Sequence, residues 1–69
     1  MPKQKLISNL DRTRWVSLSK IREFTIWEKP SCKLNAWKVS AWLNEHQCFI
    51  CFEAPLQRDA ITWVEELNK

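Results

Sequence analysis

Sixty-nine residues allow one domain and no more. The chain has five tryptophans, no glycine and no tyrosine. Its net charge of +3 is local: Lys3, Lys5, Arg12 and Arg14 stand against Asp11 in residues 1–14, whereas seven basic and seven acidic side chains cancel over residues 15–69. A neutral body excludes a domain that is basic on every side.

A chain this short buries only about 60–65% of the surface its unfolded form exposes, and its core contributes about 3–5 kcal/mol net. A staple or self-association is therefore expected. Cys32, Cys48 and Cys51 are an odd number of thiols. Leu6-Ile7 is too short for a secretory h-region, and no apolar run approaches a membrane span. These features predict a cytoplasmic protein with reduced thiols and no membrane partner.

Residues 1–12 are polar apart from Leu6, Ile7 and Leu10, and carry Pro2. They read as a flexible basic N-terminal arm ahead of a single small ββββα domain over residues 13–69. The first strand is expected over Trp15–Ile21, with Val16 and Leu18 on one face and Trp15, Ser17 and Ser19 on the other. Arg22–Glu28 follows, with Phe24 and Ile26 opposite Thr25 and Trp27. No turn signal separates the two, so they form one bent strand or two strands joined by a bulge.

Residues 29–35 are a loop, punctuated by Pro30, Ser31 and Asn35. From Trp37 the residues Trp37, Val39, Ala41 and Leu43 alternate with Lys38, Ser40, Trp42 and Asn44, which gives a third strand one buried face. Asn44, Glu45, His46 and Gln47 break the pattern as a turn. Cys48-Phe49-Ile50-Cys51-Phe52 is apolar throughout and suits a strand covered on both sides. Tight primed turns need positive φ, so a chain without glycine predicts hairpin loops of about three to five residues or longer, with Asn35 and Asn44 the expected left-handed positions.

Pro55 suits the opening of a helix. Leu56, Ala60, Ile61, Val64 and Leu67 form its apolar stripe, with Trp63 at the edge, and Ile61 and Val64 are expected in the core. Asp59 near the helix start and Lys69 near its end complement the dipole. Strands followed by one helix predict an α+β fold: a three- to four-stranded antiparallel meander with the C-terminal helix packed on one face.

Cys48-x-x-Cys51, with Cys32 and His46, has the ligand types of a Cys3His zinc site. In an extended strand residues 48 and 51 point to opposite faces, so no metal is expected and the thiols read as structural. A thioredoxin-type motif needs its first cysteine at a helix N-terminus, which this pattern lacks. His46, the one histidine, has Glu45 beside it but no nucleophile elbow. No catalytic residue and no cofactor are expected, and the chain reads as non-enzymatic.

The tryptophans carry the functional signal. Trp37 and Trp63 suffice for a core of this size. Trp15, Trp27 and Trp42, with Lys38 and Arg22, are then the candidate binding residues of an open sheet face. Such a face suits a protein partner or a second copy of the chain, where tryptophan and arginine are typical anchors. The alternative is a single-stranded nucleic-acid binder that stacks bases on tryptophan and holds phosphates with Lys3, Lys5, Arg12 and Arg14. A small intracellular binding or adaptor domain is the leading expectation.

Overall fold

The computed structural model describes residues 5–68. Pro2 and Lys3 of the expected arm, and Lys69 beyond the helix, lie outside the described residues. In chain order the elements are β1 (Leu6–Ser8), β2 (Trp15–Ser17), a 3-10 turn (Leu18–Lys20), β3 (Glu23–Glu28), β4 (Trp37–Trp42), β5 (Cys48–Ala54) and α1 (Gln57–Leu67). Strands β3, β4 and β5 form an antiparallel meander with β4 in the centre, and α1 packs across all three. This is the expected α+β arrangement, in its three-stranded form.

Strand β2 does not join that sheet. It pairs antiparallel with β1 in a hairpin of its own, with Ile7 opposite Val16 and Ser8 opposite Trp15. The segment expected as one strand to Ile21 ends at Ser17, because Ile21 N–H turns back to the Leu18 carbonyl at 3.1 Å. The next amide, Arg22 N–H, already donates to the Trp42 carbonyl at 2.7 Å. The break between the two segments is thus a 3-10 turn rather than a bend or a bulge. Within the stretch read as an arm, Ile7 is 5% exposed.

The glycine-free turns are solved with side chains. Among the described residues only Arg12 has a positive φ, at 58°, so the left-handed position falls there and not on Asn35 or Asn44. Arg12 sits in the β1–β2 loop, where Asn9 Oδ1 accepts the Thr13 and Arg14 N–H groups at 2.9 and 3.4 Å. Asn44 does the same for the β4–β5 turn, accepting His46 and Gln47 N–H at 2.8 and 3.0 Å. In the β4–β5 turn the asparagine side chain stands in for a backbone carbonyl and no residue is left-handed, whereas the β1–β2 loop combines the Asn9 brace with left-handed Arg12. In the β3–β4 loop Pro30 follows Lys29, whose carbonyl accepts Cys32 N–H at 3.0 Å, a turn with proline at its preferred second position.

The core is thin. Val39 and Ala41 of β4 and Ala60 of α1 are fully buried, and these small side chains let helix and sheet approach closely. Aromatic rings fill the flanks. Trp63 stacks on Phe52 with centroids 4.8 Å apart and meets Phe24 edge-on at 6.1 Å. Trp63, expected at the edge of the stripe, is therefore its centre. Ile61, expected in the core, is 39% exposed, because the stripe that faces the sheet runs through Ala60, Trp63, Val64 and Leu67 and leaves position 61 one flank away.

Strand β5 carries a bulge. Val39 pairs with Phe52 but Ser40 pairs with Ile50, so Cys51 is the extra residue. The bulge decides which side chains face the helix. Phe49 opposes Ala41 and Phe52 opposes Val39, so both phenylalanines lie on the helix side although they are three residues apart. Plain alternation would have sent one of them outward.

Candidate functional site

The face of the meander away from α1 carries Glu23, Thr25 and Trp27 of β3, Lys38, Ser40 and Trp42 of β4, and Cys48, Ile50 and Glu53 of β5. Its organisation follows from one sequence feature. Strands β3 and β4 each carry a hydroxyl two residues before a tryptophan, Thr25-Ile26-Trp27 and Ser40-Ala41-Trp42. Thr25 and Ser40 are directly opposite each other in the antiparallel register. Each tryptophan therefore has the other strand's hydroxyl on its diagonal.

Both diagonals are used. Trp27 Nε1–H donates to Ser40 Oγ at 2.8 Å, and Trp42 Nε1–H donates to Thr25 Oγ1 at 2.9 Å. The two indoles are braced reciprocally over the Thr25–Ser40 pair. Ser40 beneath them is 6% exposed, although α1 packs on the opposite face. Trp27 and Trp42 remain half-buried, with their polar atoms already satisfied inside the face.

Lys38 is the second buried polar group here, at 8% exposure. Its Nζ donates to the Glu53 carboxylate directly across the strand pair. That hydrogen bond holds the lysine above the ordinary ammonium range and Glu53 below the ordinary carboxylate range. Burial works against both shifts and is outweighed. The ion pair leaves the middle of the face neutral.

The predicted binding residues are thus brought together only in part. Trp27, Trp42 and Lys38 share the open face. Arg22 lies just before β3 and pairs with Glu45 of the β4–β5 turn at 3.8 Å, both side chains being exposed. Trp15 sits on the separate hairpin, not on the sheet face, and is 55% exposed. Of the residues proposed for phosphates, Lys5 Nζ donates to the Leu67 carbonyl at 3.2 Å, and the Arg14 guanidinium lies 5.7 Å from the Phe49 ring centroid. Arg12 is exposed in the hairpin loop.

The residues weighed as metal ligands are not gathered. Among the described residues no group of three or more histidine, cysteine or acidic side chains is placed to hold a metal ion. Cys48 opposes Trp42 on the open face. Cys51 turns to the other side, donating from Sγ to the Val39 carbonyl at 3.4 Å and lining a cleft with Phe52 and Trp63. Burial pushes its thiol up to about 12. His46 is exposed in its turn.

Glu53, Thr25 and Ser40 are the partners that sequence reasoning missed. The repeated hydroxyl-x-Trp spacing was the available signal for the two hydroxyls. Glu53 gave none, because its pairing with Lys38 depends on the register beyond the bulge. No helix among the described residues is long and apolar enough to cross a membrane. Comparison with protein-family models, with curated proteins and with solved structures gives no match.

Proposed function

We propose that this chain is a small, non-enzymatic, intracellular binding domain that works through the open face of its meander, and that its partner there is a second copy of the chain. The observation that carries this reading is the reciprocal bracing of Trp27 and Trp42 by Ser40 and Thr25. A partner meeting this face finds two indoles already fixed, so little side-chain freedom is lost on contact.

The electrostatics favour self-pairing. With Lys38 tied to Glu53, the centre of the face presents no unbalanced charge to a copy of itself. Ile50 adds an apolar side chain beside the braced pair. Large aromatics bury about 150–250 Å² each when covered, and isologous pairing is the commonest way a small domain covers such a surface. The thin core of the single chain gives association a stabilising role as well. Three free cysteines suit a reducing compartment.

Sedimentation equilibrium of the wild type and of Ile50→Glu tests the proposal. The wild type is expected to dimerise by high micromolar concentration, and Ile50→Glu to remain monomeric with an unchanged circular-dichroism spectrum. Ser40→Ala, which frees the Trp27 indole, is expected to weaken the dimer without abolishing the fold. A wild type that stays monomeric throughout that range refutes self-pairing.

A further inference from the structure

We propose a second binding surface, on the β1–β2 hairpin, that takes a single-stranded nucleic acid through Trp15 and the cations around it. This surface is separate from the sheet face, and an asymmetry among the tryptophans marks it: Trp15 is 55% exposed, whereas the other four are half-buried. In the hairpin register Val16 opposes the buried Ile7, so alternation puts Trp15 and Ser17 on the other face.

Trp15 is a wall common to two clefts. Arg14, Ser17, Lys20 and Leu43 are among the residues lining one, and Arg12 and Leu10 are among those lining the other. Cations therefore stand on both sides of the exposed indole. Arg22 and Lys38 are held in ion pairs, but Arg12, Arg14 and Lys20 have no acidic partner among the described residues. Arg14 rests against the ring of Phe49, a contact that consumes none of its N–H donors. Arg12, Arg14 and Lys20 thus flank one bare aromatic ring, while the middle of the sheet face is neutral.

The combination selects a ligand class. Cations alone attract any polyanion, and an indole alone suits any apolar surface. Interleaved, they match a strand that offers unstacked bases and phosphates together. A duplex keeps its bases inside and gives the ring nothing to stack on. A carboxylate-rich peptide answers the cations but brings no π-face.

Fluorescence anisotropy of a labelled oligothymidylate of about a dozen nucleotides, within the usual site size of such binders, is the test. The full chain is titrated between about 50 and 200 mM salt. Trp15→Ala is expected to weaken binding by about 5- to 150-fold, the range of one stacked base. Arg14→Gln with Lys20→Gln is expected to lower the slope of log affinity against log salt by about 1.4, two phosphate contacts' worth. Both variants alter exposed side chains, and unchanged thermal unfolding confirms that they fold. Ile61→Ala, on the exposed flank of α1 and lining neither cleft, is expected to bind as the wild type does.

Absence of binding at the lowest salt overturns the proposal, as does Trp15→Ala binding as tightly as the wild type. Poly-glutamate competing as well as the oligonucleotide assigns the surface to an acidic protein instead. A duplex bound with equal strength reduces the surface to a phosphate contact without stacking and also refutes it.

Discussion

Replacing Trp63 and Ile61 separately by alanine distinguishes the packing of α1 from what its sequence pattern suggests. The two positions are two residues apart, about 200° around the helix axis. Trp63 lies between Phe52 and Phe24, at 4.8 and 6.1 Å, and its removal takes away both ring contacts and so the aromatic link from α1 to β3 and β5. Tryptophan-to-alanine changes in cores cost about 3–5 kcal/mol. Trp63 keeps some exposure, so a value of about 3 kcal/mol is expected for this site. Ile61 is 39% exposed, and its truncation is expected to cost less than about 1 kcal/mol. Urea unfolding followed by far-ultraviolet circular dichroism measures both. With a slope of about 1 kcal/mol per molar for a domain this small, Trp63→Ala lowers the midpoint by about 3 M and Ile61→Ala by less than about 1 M. Since the whole domain is stable by only about 3–5 kcal/mol, Trp63→Ala is expected to lie close to unfolded in water. An Ile61→Ala cost equal to or above that of Trp63→Ala would mean that the helix presents its other flank to the sheet, and the packing described above would be wrong.

Two further outcomes follow from the site geometry. Thiol labelling of the native protein is expected to modify exposed Cys48 first and Cys51 last, since burial holds the Cys51 thiol near 12 and little thiolate forms at neutral pH; mass spectrometry showing Cys51 labelled as fast as Cys48 would contradict the bulge. The Lys38–Glu53 pair makes stability pH-dependent at both ends. Glu53 is depressed, so its contribution is full above the ordinary carboxylate range and is lost as the pH falls through and below it; Lys38 is raised, so its contribution is full below the ordinary ammonium range and is lost as the pH rises beyond it. A Lys38→Met, Glu53→Leu double variant is expected to flatten both flanks of the thermal-midpoint profile, and an unaltered acid flank would show that the pair does not titrate with unfolding.

Much of the architecture was legible from local pattern. The alternation over residues 37–43 and the polar break at 44–47 specify a strand and a turn whatever they pack against, because strand periodicity is a property of the chain itself. The same holds for the helix after Pro55, where periodicity gave the right element and nearly the right stripe. It also separated Trp27 and Trp42 from Phe24, Trp37 and Val39, and so located the open face.

What local pattern did not contain was the partner of each strand. Nothing in Leu6-Ile7-Ser8 marks it as a strand until Trp15–Ser17 lies beside it, and that pairing removes Trp15 from the sheet face. The bulge at Cys51 is equally invisible in an apolar run where every residue is suited to either side, yet it puts Phe49 and Phe52 together under the helix and aligns Glu53 with Lys38. The brace over Thr25 and Ser40 needs the exact register of β3 on β4, since a slip of one residue would send each hydroxyl to the opposite face. Local chemistry determined which elements form. Non-local pairing, which no window of sequence encodes, decided which tryptophans are braced, which one is bare, and where the free cations gather.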